Sequence, residues 1–185
     1  MLIWKDDLIA ITKWAHHPAI SEQYHIDADN LFLVGHSMGG QTVLNAAKEL
    51  PFIKGVVALA AYDIGAAFRY RMEKNLFLMI ETEGQCLKMN SVSEVYENAL
   101  KNQQELSIVN RYEELAKQNV LLVEAAFDTI APPDRMLRPL NELLREKNAN
   151  VTFHTIQSNH SFMGQRMKLA GIVGQWIEKT MRNSK

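Results

Sequence analysis

The 185 residues carry 47% hydrophobic and 22% charged side chains, the balance of a packed globular chain and not of a disordered, collagen-like or disulfide-stapled one. That length fits one domain and leaves little room for two. Twenty Lys and Arg against 21 Asp and Glu give a formal net charge of −1, so no basic field points to nucleic acid or to an anionic membrane surface.

The single cysteine, Cys86, supplies neither an internal disulfide nor a cysteine-rich metal site. No apolar run approaches the roughly 20 residues that span a bilayer. The opening MLIWKDDLIAITKW is amphipathic and contains aspartates, unlike the basic-then-apolar layout of a signal peptide. A soluble cytoplasmic chain is the expectation.

In chain order, Trp4, Leu8, Ile11 and Ala15 form one apolar helical stripe. Residues 31–35 (LFLVG) then read as a strand. Val43, Ala46, Ala47 and Leu50 make a second helix, ended by Pro51. Residues 55–61 (GVVALAA) form a second strand. The connection 62–119 is too long for a structureless loop in a compact domain. It contains a capping-box pattern, Ser91 to Glu94, ahead of Val95, Tyr96, Ala99 and Leu100 at helical spacing. Helices are expected here, partly a crossover and partly a lid inserted over 64–119 within a single domain of 1–185. Its Phe68, Tyr70, Met72, Phe77, Met79 and Met89 suit packing between lid and core better than the lining of an acyl pocket, because Met so often fills core gaps.

Residues 120–126 (VLLVEAA) are a third strand. Leu137, Leu140 and Leu144 suggest a helix whose start is blurred by Pro139. Residues 151–156 (VTFHTI) are a fourth strand, and Met167, Ala170, Val173, Ile177 and Met181 stripe a terminal helix. The first three strands are apolar almost throughout, as strands buried on both faces are. Alternating helix and strand then predicts an α/β fold with a mainly parallel sheet.

Gly35-His36-Ser37-Met38-Gly39 matches G-x-S-x-G, and Gly40 extends it. Chance alone yields this pattern in roughly one such chain in twenty, so its context decides. An apolar strand runs into the motif and a helical stripe follows, which is what a nucleophile elbow requires. The sharp turn strains the serine, and side chains at 35 and 39 are expected to collide across it. Ser37 Oγ would stand above the sheet near a helix N-terminus, with the Met38 backbone N–H as an oxyanion donor.

A serine needs a base, itself oriented by a carboxylate. Asp128 follows the third strand and His160 the fourth, both where open α/β sheets place their sites. Ser, Asp, His is the chain order of α/β-hydrolases. Asp63, just past the second strand, is the competing acid. Glu124 lies within an apolar strand and is expected to pair locally. His36 is expected to point away from the nucleophile and pack, and His154 to be structural or exposed. His16 and His17 sit at a helix end, where histidines meet the negative dipole terminus. No metal-ligand spacing is present, and no cofactor is implied.

On these motifs the chain resembles the α/β-hydrolase superfamily, in particular bacterial members related to prolyl oligopeptidase and dienelactone hydrolase. HIDADNLFLVGHSMGG looks like the elbow strand, FDTIAPPDR like the acid loop, and SNHSF like the histidine loop. The resemblance implies Ser37 as nucleophile, Asp128 as acid and His160 as base. Its four strands would match strands 5 to 8 of that fold, with no counterpart for strands 1 to 4. Two expectations follow. The second oxyanion donor, from the loop after strand 3, is missing, a loss typically worth on the order of 10²–10³ in turnover. The strand at 31–34 becomes an exposed apolar edge, open to a second copy or a partner chain. The expected activity is cleavage of a carboxylic ester or related acyl bond of a small molecule. A silent half-domain or fragment that associates through the strand edge is the alternative.

Overall fold

The structure, a computed structural model, describes residues 2–86 and 90–182, without the side chains of Leu2, Ile3 and Cys86. Met89, expected among the packing methionines, lies outside the described residues. Helices α1 (Leu2–His16) and α2 (Pro18–Tyr24) precede strand β1 (Phe32–His36), which is followed by α3 (Met38–Ala47) and β2 (Gly55–Leu59). The long connection carries α4 (Ile64–Arg69), α5 (Glu73–Glu83), α6 (Val92–Lys101), α7 (Gln103–Leu106) and α8 (Tyr112–Leu115). Then come β3 (Val120–Ala125), α9 (Leu137–Glu146), β4 (Val151–Ile156) and α10 (Arg166–Arg182). At the start of α6, Ser91 Oγ accepts the Glu94 N–H at 3.1 Å, so the cap lies where the sequence pattern puts it. Pro139 falls in the first turn of α9, where its missing N–H costs no helical hydrogen bond.

The four strands lie in the order β1-β2-β3-β4 and every pair is parallel. Alternation then sends Leu33, Val56, Ala58, Val120 and Leu122 to one face. There they meet Val43, Ala46, Ala47 and Leu50 from the α3 region, and Leu137, Leu140 and Leu144 from α9. Val57, Leu121 and Val123 face the other way, against Phe162 and Trp176. Both faces of β2 and β3 are thus covered, which is why their sequences do not alternate. A third cluster joins Tyr62, Ile64, Met72, Leu76, Ile80, Leu106 and Met136, with Phe68, Met79, Tyr96 and Met38 packed against it. Phe68 and Phe77 both approach the Tyr96 ring, at 5.8 and 5.6 Å between centroids. Tyr70 is exposed.

Two helices sit rotated from their expected faces. Among the described side chains of α1 the buried ones are Ile9 and Thr12, while Ile11 and Trp14 are exposed. The threonine is tolerated inside because its hydroxyl donates to the Leu8 carbonyl at 2.6 Å. In α10 the buried residues are Trp176 and Thr180, and Met167 is 87% exposed. The largest side chain sets that rotation. Trp176 meets Phe32 edge-on at 6.0 Å and donates from Nε1 to Thr152 Oγ1 at 3.2 Å. On β1, no strand pairs with the outer edge among the described residues, and Val34 is 49% exposed there. No helix among the described residues is long and apolar enough to cross a membrane.

Candidate active site

Ser37 stands between β1 and α3 with φ +55° and ψ −120°, a conformation that L-residues adopt only under constraint. The constraint is a set of backbone hydrogen bonds. Ser37 N–H donates to Leu59 O at 2.9 Å, and Ser37 O accepts from Tyr62 N at 3.1 Å and Gln41 N at 3.2 Å. The turn also needs two residues without side chains. A Cβ on Gly35 would lie 2.1 Å from the Gly39 carbonyl oxygen, and one on Gly40 would lie 2.7 Å from Ala61 Cβ. At Gly39, expected to be crowded, a Cβ would meet nothing within 4 Å. The steric demand falls at Gly40 instead, where α3 leans on the chain leaving β2. Met38 opens α3, so its N–H is one of the amides that have no acceptor within the helix.

Asp128 and His160 reach the same place from the far side of the sheet. Asp128 Oδ1 accepts the N–H groups of Ile130 and Ala131 at 2.9 and 2.8 Å, a local turn that aims the carboxylate. Its Oδ2 lies 2.7 Å from His160 Nδ1, and His160 Nε2 lies 2.9 Å from Ser37 Oγ. The carboxylate accepts only, so Nδ1 carries the proton and Nε2 is left with a lone pair toward the serine hydroxyl. Asp128 is buried, and the His160 side chain keeps 12% of its surface open. The three residues that the sequence put forward are therefore in one hydrogen-bonded line.

The other candidates are elsewhere or otherwise engaged. Asp63 is fully buried and accepts from Ser107 Oγ at 3.3 Å, and Arg69 Nη2 donates to the same hydroxyl at 3.1 Å. Burial pushes its carboxyl up to about 6, and the neighbouring backbone N–H groups and Arg69 offset only part of that. Adjacent Tyr62 is pushed up to about 12, by burial first and the Asp63 carboxylate second. Glu124 pairs locally: Arg138 donates from Nε and Nη2 at 2.9 and 2.7 Å, and Thr155 Oγ1 donates at 2.9 Å. His16 stacks on Phe52 at 3.9 Å, while His17 and His154 are exposed. Among the described residues no group of His, Cys, Asp or Glu is arranged to hold a metal ion.

One residue does more than its sequence position suggested. His36 is exposed, as the last residue of β1, but its Nε2 lies 2.8 Å from the His160 carbonyl oxygen. The Ile130 and Ala131 amides were not foreseen from the sequence either, although an aspartate just past a strand, two residues before free amides, is the pattern of such a turn.

A doubly covered parallel sheet with a strained serine between strand and helix defines a partial α/β-hydrolase fold. The chain belongs to the prolyl oligopeptidase family, whose model matches residues 5–184. No curated protein matches it by sequence. Among solved structures it is similar to dipeptidyl peptidase 4 of Porphyromonas gingivalis, at 18% identity and a TM-score of 0.67, covering 95% of this chain and 22% of that one. An esterase of Pyrococcus furiosus is similar at 17% identity and a TM-score of 0.64, covering 94% of this chain and 60% of that one. The acylaminoacyl peptidase of Pyrococcus horikoshii is similar at 16% identity and a TM-score of 0.64, with 87% and 26% covered. At these identities the likeness is one of fold, and this chain spans only part of each relative.

Proposed function

We propose that this chain carries a serine hydrolase site acting on a carboxylic ester or related acyl bond of a small molecule. The observation that supports it is the unbroken line Asp128 Oδ2, His160 Nδ1, His160 Nε2, Ser37 Oγ at 2.7 and 2.9 Å. As Ser37 Oγ bonds to the acyl carbon, its proton passes to His160 Nε2, and Asp128 stabilises the imidazolium in place. The oxyanion forms beside the Met38 N–H, at the positive end of α3. His160 returns the proton to the leaving alkoxide. It then takes a proton from water as the water oxygen bonds to the acyl carbon, the acyl–Oγ bond breaks, and His160 returns that proton to Ser37 Oγ as the acid leaves. In this reading helices within 64–119 act as a lid, consistent with the hydrophobic cluster that they form with Tyr62, Ala131 and Met136 and against which Met38 packs.

Fluorophosphonate labelling, read by intact mass, tests the proposal. One adduct per chain is expected, lost in Ser37→Ala together with p-nitrophenyl acetate turnover. A folded chain without an adduct overturns it. The outer edge of β1, with Val34 half exposed, favours a second reading. In that reading the chain associates with a partner or a second copy along this edge, which completes the sheet or replaces catalysis.

A further inference from the structure

The histidine loop has a long way to travel. It leaves β4 at one edge of the sheet, and its base must meet a serine at the end of β1, the other edge, 123 residues away in sequence. Several sets of bonds hold it, among them Arg166 Nε–H to Ser161 O at 3.3 Å and the three that follow. Near its start, Phe127 N–H donates to Ser158 O at 3.0 Å and Ser158 Oγ–H donates to Met163 O at 3.0 Å. In its second half, Asn159 O and Oδ1 accept from Phe162 N and Met163 N at 2.9 and 3.1 Å, and Phe162 is buried with φ +52°. At its tip, the side chain of His36 holds the backbone of His160.

We infer that His36 is a positioning residue for the base. Its Nε2–H donates to the His160 carbonyl at 2.8 Å, and its ring lies 4.7 Å from the His160 ring and 6.0 Å from that of Phe162. A carbonyl can only accept, so His36 Nε2 carries a proton in its neutral as well as its charged form. The residue next to the nucleophile thus grips the residue that bears the base, and the Ser37 to His160 distance is fixed without passing through the rest of the loop. Displacing a reacting group by about 1 Å costs on the order of 10²-fold, so losing this one anchor is felt at Ser37.

This inference rests on the hydrolase reading, and its test separates the two. His36→Phe keeps a ring and removes the donor. His36→Gln returns a donor at the reach of Nε2, and His36→Asn holds one that falls short. The maximal rate of fluorophosphonate labelling is expected to fall about 10–100-fold in the Phe and Asn variants, with the half-saturating concentration unchanged and the Gln variant within about fivefold of the parent. The second readout needs no chemistry: the downfield proton NMR signal of His160 Nδ1–H, held by Asp128, is expected to persist in Ser37→Ala and to weaken in His36→Phe. Parental rates and an intact signal in all three His36 variants overturn the inference and leave the hydrolase reading standing. A chain that never labels, but whose signal depends on His36, overturns the hydrolase reading and supports the positioning role. If the Phe variant misfolds, the Gln and Asn pair decides, since equal rates in both overturn the role.

Discussion

Holding Ser37 at φ +55° costs on the order of 1–3 kcal/mol, and the fold meets that cost with the hydrogen bonds from Tyr62 and to Leu59. Such strain is informative because it exposes one hydroxyl to one imidazole. At the third residue of the line, Asp128→Asn leaves the shape intact but can stabilise the wrong imidazole tautomer. Labelling is expected to fall by about 10³–10⁴-fold. Asp63→Asn is expected to retain most of it, because Asp63 bonds to Ser107 and not to His160. Equal losses in Asp63→Asn and Ser37→Ala would move the acid to Asp63. Asp63 also makes a pH prediction. Its carboxyl titrates near 3.8 when unperturbed and near 6 in the fold, so the folded chain binds the proton more tightly. The resulting stabilisation is full below about pH 4 and is lost as pH rises through 6, a difference on the order of 2–3 kcal/mol. Urea unfolding at pH 4, 6 and 8 is expected to show that decline in the parent and a flatter profile in Asp63→Asn.

Among the elements, the elbow offers the sharpest contrast between neighbouring glycines. Gly35→Ala places a Cβ 2.1 Å from backbone, where no side chain can swing away, and is expected to destabilise by about 3 kcal/mol or more and to abolish labelling. Gly39→Ala meets open space and is expected to be near neutral in denaturant midpoint. The strands were legible in the sequence because β2 and β3 are apolar on both faces, a pattern that half-exposed strands and surface helices do not share. The elbow, Asp128 and His160 could be put forward together because the strand order of an α/β-hydrolase fixes their order along the chain and the ends of strands fix their place, and the structure brings their side chains into one hydrogen-bonded line. Helix rotation was not legible. Both α1 and α10 carry apolar residues on more than one flank, and the choice fell to Ile9 and Trp176, through partners far away in sequence. His36 was not legible for a related reason. Strand alternation gives the face to which it points, but nothing in its neighbourhood tells where the loop after β4 will pass.

For the whole molecule, the outer side of β1, where no strand pairs among the described residues, is where the association reading is tested. Val34→Lys puts a charge on that edge without touching the opposite face, where Leu33 is buried. Light scattering is expected to shift toward the monomer in this variant if the edge recruits a second copy. A parent that is already a clean, labelled monomer removes the association reading. The site itself depends on the full width of the sheet. Ser37 follows β1 and His160 follows β4, so the contact between them is among the most distant pairings of the described residues. During synthesis Ser37 emerges long before His160, so in the proposed mechanism it is an ordinary alcohol through that interval. On the proposed reading, the strand that delivers the histidine is the arming step, and the growing chain does no acyl chemistry until β4 has docked.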